Sequence, residues 1–126
     1  MTAIPKPTRR KKQRRQSAVV RAKLRAVHRK TIWNLDGRRC RCCRRPVHLT
    51  TDRWWVLANI HEEPPKSIGG DSLNPEGTIC LCPGCHSKVT SHEYRIRFLD
   101  LQRGTRGAVL FVDRSGVVVA KTRQAA

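Results

Sequence analysis

Two Cys-x-x-Cys pairs carry the clearest chemical pattern in the chain: Cys40-Arg41-Cys42-Cys43 and Cys82-Pro83-Gly84-Cys85, with 38 residues between Cys43 and Cys82. Each short loop can turn two thiolates toward one point, and four thiolates at about 2.3 Å saturate a tetrahedral Zn²⁺. A site filled in this way has no open position for chemistry. Its expected role is structural, stapling a small domain in a chain with few aromatic residues. Cys42 and Cys80 are left outside the set. Three rival readings compete with zinc. Disulfides need an oxidising compartment. The run Cys82-Pro83-Gly84-Cys85-His86 matches covalent haem attachment but leaves the first pair unexplained, and a thioredoxin-like redox pair needs a βαβ context that the sequence lacks.

Two histidines stand where chemistry is feasible: His61, followed by Glu62 and Glu63, and His86, directly after the last cysteine of the second pair. A cysteine tetrad would fix the start of the helix that carries His86, so its imidazole could serve a second metal while sulfur saturates the first. The prolines at 64 and 65 exclude a metalloprotease helix around His61. His28, His48 and His92 are read as structural.

The elements that must position these groups follow from charge and periodicity. Residues 1–45 hold 17 Lys/Arg against the single acid Asp36, whereas residues 46–126 hold 10 against 8, so most of the net charge of +18 lies in the first third. Such a balance, with a pI near 11.2, keeps the molecule close to polyanions, of which nucleic acid is the most abundant. Lys6 to Arg15, including Arg9, Arg10, Lys11, Lys12, Arg14 and Arg15, has nothing to bury and reads as a disordered basic arm over residues 1–16 that contacts phosphates. Ser17 then caps a helix from about Ala18 to Trp33. Val20, Leu24 and Val27 form its docking stripe, and Arg21, Lys23, Arg25, Arg29 and Lys30 its basic face; Asp36-Gly37 ends it. No apolar run reaches the roughly 18 residues of a membrane span, and residues 1–17 contain no export signal, so a cytoplasmic protein is expected.

From Val47 to Ile60 the β-branched and aromatic pattern predicts a hairpin turning at Thr51-Asp52, with Trp54 and Trp55 on its second strand, one in the core and one on the surface. A Pro/Gly-rich loop follows, then a short helix after Cys85 ending near Thr90. Tyr94, Ile96 and Phe98 alternate with arginines, and Ala108 to Val112 pairs with Val117 to Ala120 about an Asp113–Gly116 turn. The chain therefore divides into the arm (1–16), a basic helix (17–37), a zinc-knuckle domain (38–92) and a C-terminal β-element with a short tail (93–126).

The ordered set Cys40-x-x-Cys43, then His61-Glu62-Glu63-Pro64-Pro65-Lys66-Ser67-Ile68-Gly69-Gly70, then Cys82-x-x-Cys85-His86 resembles the HNH endonucleases, especially the small zinc-containing forms frequent in phage genomes. The resemblance covers about residues 38–90. It implies an α+β fold: a zinc-stapled ββα-metal domain with a basic N-terminal helix and a C-terminal β-hairpin. It also implies a DNA phosphodiesterase, cutting one strand in a phage-infected or bacterial cell, with Mg²⁺ or another divalent cation as catalytic cofactor. His61 is then the general base, His86 a metal ligand and Glu62 a second ligand. Counting back from Gly69-Gly70 instead puts the family's base at Glu62 and its preceding ligand at His61, so these two roles are exchangeable. Counting back from Cys82 puts the family's middle asparagine at Gly77, with Asn74 three residues early. These departures carry the alternative of a non-catalytic zinc module that binds nucleic acid or phage packaging proteins.

Overall fold

The structure, a computed structural model, describes residues 9–63 and 73–122, with side chains from residue 17 onward. The arm's first eight residues and the Pro64–Gly70 part of the motif lie outside the described residues.

The chain opens with helix α1 (Arg9–Leu35). Its start corrects the expected boundary near Ala18: Arg, Lys and Gln are good intrinsic helix formers, so backbone preference extends the helix into the basic block. Its docking face is a second correction. Val20, Leu24 and Val27 are 54%, 48% and 65% exposed, while Ile32 is fully buried. A 27-residue helix is about 40 Å long, longer than a small domain is wide, so only its last turns have anything to pack on. Those turns dock through His28, whose Nε2 lies 2.9 Å from Thr78 Oγ1, and through Arg29, which donates to the Ala58 carbonyl. Trp33 adds an Nε1–H bond to the Val47 carbonyl at 2.8 Å.

The helix ends where Asp36-Gly37 predicts. Arg38 N–H bonds the Trp33 carbonyl at 2.8 Å and Gly37 N–H the Asn34 carbonyl at 3.0 Å, a Schellman closure that needs the left-handed φ of +73° at Gly37.

The expected hairpin over residues 47–60 does not form. Trp54–Val56 is a 3₁₀ turn, joined to the preceding segment by one bridge between His48 and Leu57. Strand β1 (Asn59–Glu62) pairs instead with β2 (Thr78–Leu81), antiparallel, in the register Ile60↔Cys80 and His61↔Ile79. All four β2 residues are buried, so this apolar run is the stronger partner: a strand next to it shares the core, whereas a local hairpin would leave its ladder in solvent. Helix α2 (Pro83–Thr90) follows directly.

Strands β3 (Tyr94–Phe98), β4 (Val109–Asp113) and β5 (Val118–Thr122) form a second antiparallel sheet in that order. The expected C-terminal hairpin is its β4–β5 half. Asp113 Oδ1 accepts from Ser115 N and Val117 N, both at 2.9 Å, and so builds the turn. The molecule is thus α+β, with two helices and two antiparallel sheets among the described residues.

The second sheet is not an appendage. Val109 and Phe111 belong to one buried cluster with Ile32, Val47, Ile79 and Leu81. A buried ionic network crosses the same region. The Asp36 carboxylate accepts from Arg41 at 3.0 Å and Arg106 at 2.8 Å, and from Cys80 N–H at 2.8 Å. Arg41 also donates to the Thr105 and Gly107 carbonyls and to Thr122 Oγ1. Asp36 has no exposed side-chain surface, and two guanidinium groups and an amide satisfy its buried carboxylate oxygens. Among the described residues, no helix is long and apolar enough to cross a membrane.

Candidate functional site

The two Cys-x-x-Cys loops are built differently and meet at one point. The first is a tight turn: Cys40 N–H bonds the Arg45 carbonyl at 2.8 Å, Arg44 N–H bonds the Cys40 carbonyl at 3.0 Å, and Arg44 takes a φ of +68°. The second is a helix N-terminus. Cys82 is the N-cap of α2, its sulfur accepting from Cys85 N–H at 3.4 Å, with Pro83 in the first turn.

Together they place the sulfurs of Cys40, Cys43, Cys82 and Cys85 within 4.8 Å of one another, and three of these residues are buried. Cys43 Sγ and Cys82 Sγ are 3.7 Å apart, close to the ~3.8 Å edge of a tetrahedron with 2.3 Å metal–sulfur bonds. The four cysteines are therefore positioned to bind a metal ion, compatible with zinc.

The Cys40 thiol is held well above its ordinary pKa by its hydrogen bond to Cys85 and by burial, and burial likewise raises Cys43. A cation that claims these sulfurs displaces protons that the protein alone retains. Cys80 is buried apart from the set, on β2, where burial and the Asp36 charge push its thiol up to about 12; it behaves as a small inert core residue. Cys42 is half-buried.

The histidines come together next to this tetrad. His61 sits on β1 with its side chain 7% exposed, and its ring centroid lies 5.4 Å from that of His86, in the first turns of α2. His61 Nε2 is 3.2 Å from Glu63 Oε2. A carboxylate only accepts, so in the neutral tautomer that makes this bond the proton is on Nε2 and the lone pair on Nδ1. Burial, and then the neighbouring His61, lower the pKa of His86 below its ordinary 6.5, so its imidazole is neutral at neutral pH and offers a lone pair.

Glu62, assigned by sequence as a ligand or a base, is not brought to this pair. Alternation along β1 turns it to the other side, where it lines a groove of about 270 Å³ together with Arg25, His28, Arg29 and Ile60. The acid at the histidine pair is Glu63, which the sequence reading placed beside His61 without giving it a role; the signal was present in the period of two, since Glu63 shares the parity of His61. The pair and Glu63 converge less tightly than the thiols. Among the described residues, only the four cysteines gather three or more ligating atoms within 4.8 Å.

Gly77, which falls at the family's asparagine position, allows close approach. A Cβ there would lie 3.3 Å from Asn74 Nδ2 and 3.4 Å from the Glu63 carbonyl. Asn74 braces the loop from three residues earlier: its Oδ1 accepts from Glu76 N–H at 3.1 Å and its carbonyl from Thr78 Oγ1 at 3.0 Å. Glu63 N–H bonds the Gly77 carbonyl at 2.7 Å, which continues the β1–β2 ladder to Glu63.

Of the cations expected to face phosphates, Arg21, Lys23, Arg25 and Lys30 are exposed on α1, whereas Arg29 is half-buried against β1. The side chains of Arg9, Arg10, Lys11, Lys12, Arg14 and Arg15 lie outside the described residues. Compared with protein-family models, curated proteins and solved structures, the chain matches none of them.

Proposed function

We propose that the protein is a metal-dependent DNA endonuclease of the HNH type, with a structural Zn²⁺ in the cysteine tetrad and a divalent cation such as Mg²⁺ at the histidine pair. The observation that carries this reading is the meeting of His61 and His86 at 5.4 Å on an antiparallel strand pair and the helix after it. A site that serves stability alone gains nothing from two half-satisfied imidazoles beside a saturated metal-binding set.

In this reading His86 would hold the cation, which would supply charge neutralisation at the scissile phosphate and the leaving oxygen. His61 takes the proton of the attacking water through Nδ1. Glu63, bonded to Nε2, fixes the imidazole and stabilises the imidazolium that forms, as the carboxylate does in a Ser-His-Asp triad. The exposed cations of α1 hold the strand by phosphate contacts, with little base selectivity.

The test is cleavage of supercoiled plasmid by the purified protein with Mg²⁺ or Mn²⁺, against EDTA and against His61→Ala and His86→Ala. Nicking that requires the metal and both histidines supports the assignment. Failure to nick with any metal, or equal nicking by wild type and variants, overturns it in favour of a non-catalytic zinc module that binds nucleic acid.

A further inference from the structure

Trp54 and Trp55 are 70% and 49% exposed, while the chain's other aromatic residues are buried or partly buried. Their ring centroids are 6.0 Å apart and their planes perpendicular. We propose that this tryptophan corner binds an unpaired nucleobase of a single-stranded nucleic acid by stacking, which makes single-stranded or locally opened strands the preferred substrate class. The proposal rests on the nucleic-acid part of the functional reading and not on its catalytic part.

The exposure does not come from a loose loop. Within the turn, Val56 N–H bonds the Arg53 carbonyl at 3.1 Å and Leu57 N–H the Trp54 carbonyl at 3.3 Å. At its base, His48 N–H bonds the Val56 carbonyl and Ala58 N–H the His48 carbonyl, both at 2.8 Å. The rings are therefore held out by an ordered backbone.

The patch is also narrow. Two indoles present at most ~400 Å², and exposed Asp52 and Arg53 precede them directly. A stable protein interface takes about 800 Å² from each partner. One planar ligand fits better: a base lying flat on one ring meets the second ring at its side. Charge selects among planar ligands, because a chain of net charge +18 concentrates those attached to phosphates, and stacking on an exposed aromatic ring tolerates any base. The turn lies alongside α2, the helix that carries His86, so a base seated there is delivered near the histidine pair.

The experiment measures binding by the zinc-loaded full chain, without added Mg²⁺ or Mn²⁺, to labelled single-stranded DNA, single-stranded RNA and duplex DNA of one length, and to heparin as a polyanion without bases. Trp54→Ala and Trp55→Ala are expected to weaken single-strand binding by about 5- to 150-fold each. Heparin and duplex binding should stay within about twofold, and Trp54→Phe should restore most of the loss by keeping a ring. Comparison of the DNA and RNA arms identifies the strand chemistry. Unchanged single-strand affinity in both Ala variants, or equal losses on heparin or duplex, overturns the proposal. Absence of plasmid nicking by the same preparation would remove the nuclease reading and leave this one standing.

Discussion

At Cys85 and His86 two kinds of site adjoin in the chain, and they are built on opposite plans. The cysteine tetrad is closed: four sulfurs stand within 4.8 Å of one another, and one of its loops is also a helix cap. The Asp36 network behind it is closed in the same sense, since the carboxylate meets two guanidinium groups and an amide. The histidine pair is open. Its rings meet edge to face at 5.4 Å, and Glu63 at its edge is 27% exposed. Groups that stabilise a fold are satisfied by the fold itself, whereas groups kept for a ligand are left partly unsatisfied.

The sharpest way to break this contrast is at the tetrad. Cys82→Ser removes a sulfur from the tetrad while leaving a hydroxyl that can still cap α2. Because structural zinc contributes about 10–16 kcal/mol in small domains, against a total stability of about 5–15 kcal/mol, the variant is expected to lose its metal and its fold together. Metal analysis with circular dichroism checks this. A folded, metal-free Cys82→Ser protein would put the tetrad in the same class as the histidines.

A smaller effect is expected from the ionic network. Asp36→Ala leaves Arg41 and Arg106 facing each other without their shared carboxylate, and loss of one partner from a buried pair costs about 3–5 kcal/mol. The loss should appear as a lower urea midpoint with the metal still bound. Burial already opposes the charge on Arg41, and Asp36 offsets that opposition, so the variant exposes a conflict that the native protein holds in balance.

On the open side the expected order reverses: activity falls and stability barely moves. His61→Ala should reduce plasmid nicking at least about a hundredfold, equivalent to about 2.7 kcal/mol in the barrier. Its metal content and urea midpoint should remain close to wild type. A large loss of stability without a larger loss of cleavage would make His61 a core histidine and nothing more.

What was legible in the sequence divides along the same line. The tetrad is encoded in local spacing, and so is the end of α1, because a Gly after the last turn has one dominant use. The β4–β5 turn is legible for the same reason. The start of α1 apart, which local propensity sets, the failures are long-range. Whether Val20, Leu24 and Val27 or His28, Arg29 and Ile32 dock depends on how far the domain reaches along α1, which the period of 3.6 residues does not contain. The partner of β1 is β2, beyond the loop, so residues 47–60 looked like a hairpin of their own. Nothing local announces that Asp36 lies buried between Arg41 and Arg106. The two tryptophans went astray together: as a strand they would split between core and surface, whereas the 3₁₀ turn leaves both outside.

The finest test compares two neighbouring carboxylates. Glu63 contacts His61, while Glu62 points across the strand toward Arg25 and Arg29. Glu63→Gln keeps the side-chain shape and an acceptor but removes the charge that stabilises a protonated imidazole. Loss of one charge-assisted hydrogen bond, about 1.4 kcal/mol, predicts a roughly tenfold slower cleavage. Glu62→Gln should change cleavage by less than about twofold, because it touches neither histidine; single-turnover rates at saturating DNA compare the two. If Glu62→Gln is the slower enzyme, the open site extends through the strand to the groove beneath α1. Glu62, Arg25 and Arg29 would then belong to the phosphate path, and the boundary between the satisfied and unsatisfied halves of the molecule would have to be drawn on the far side of β1.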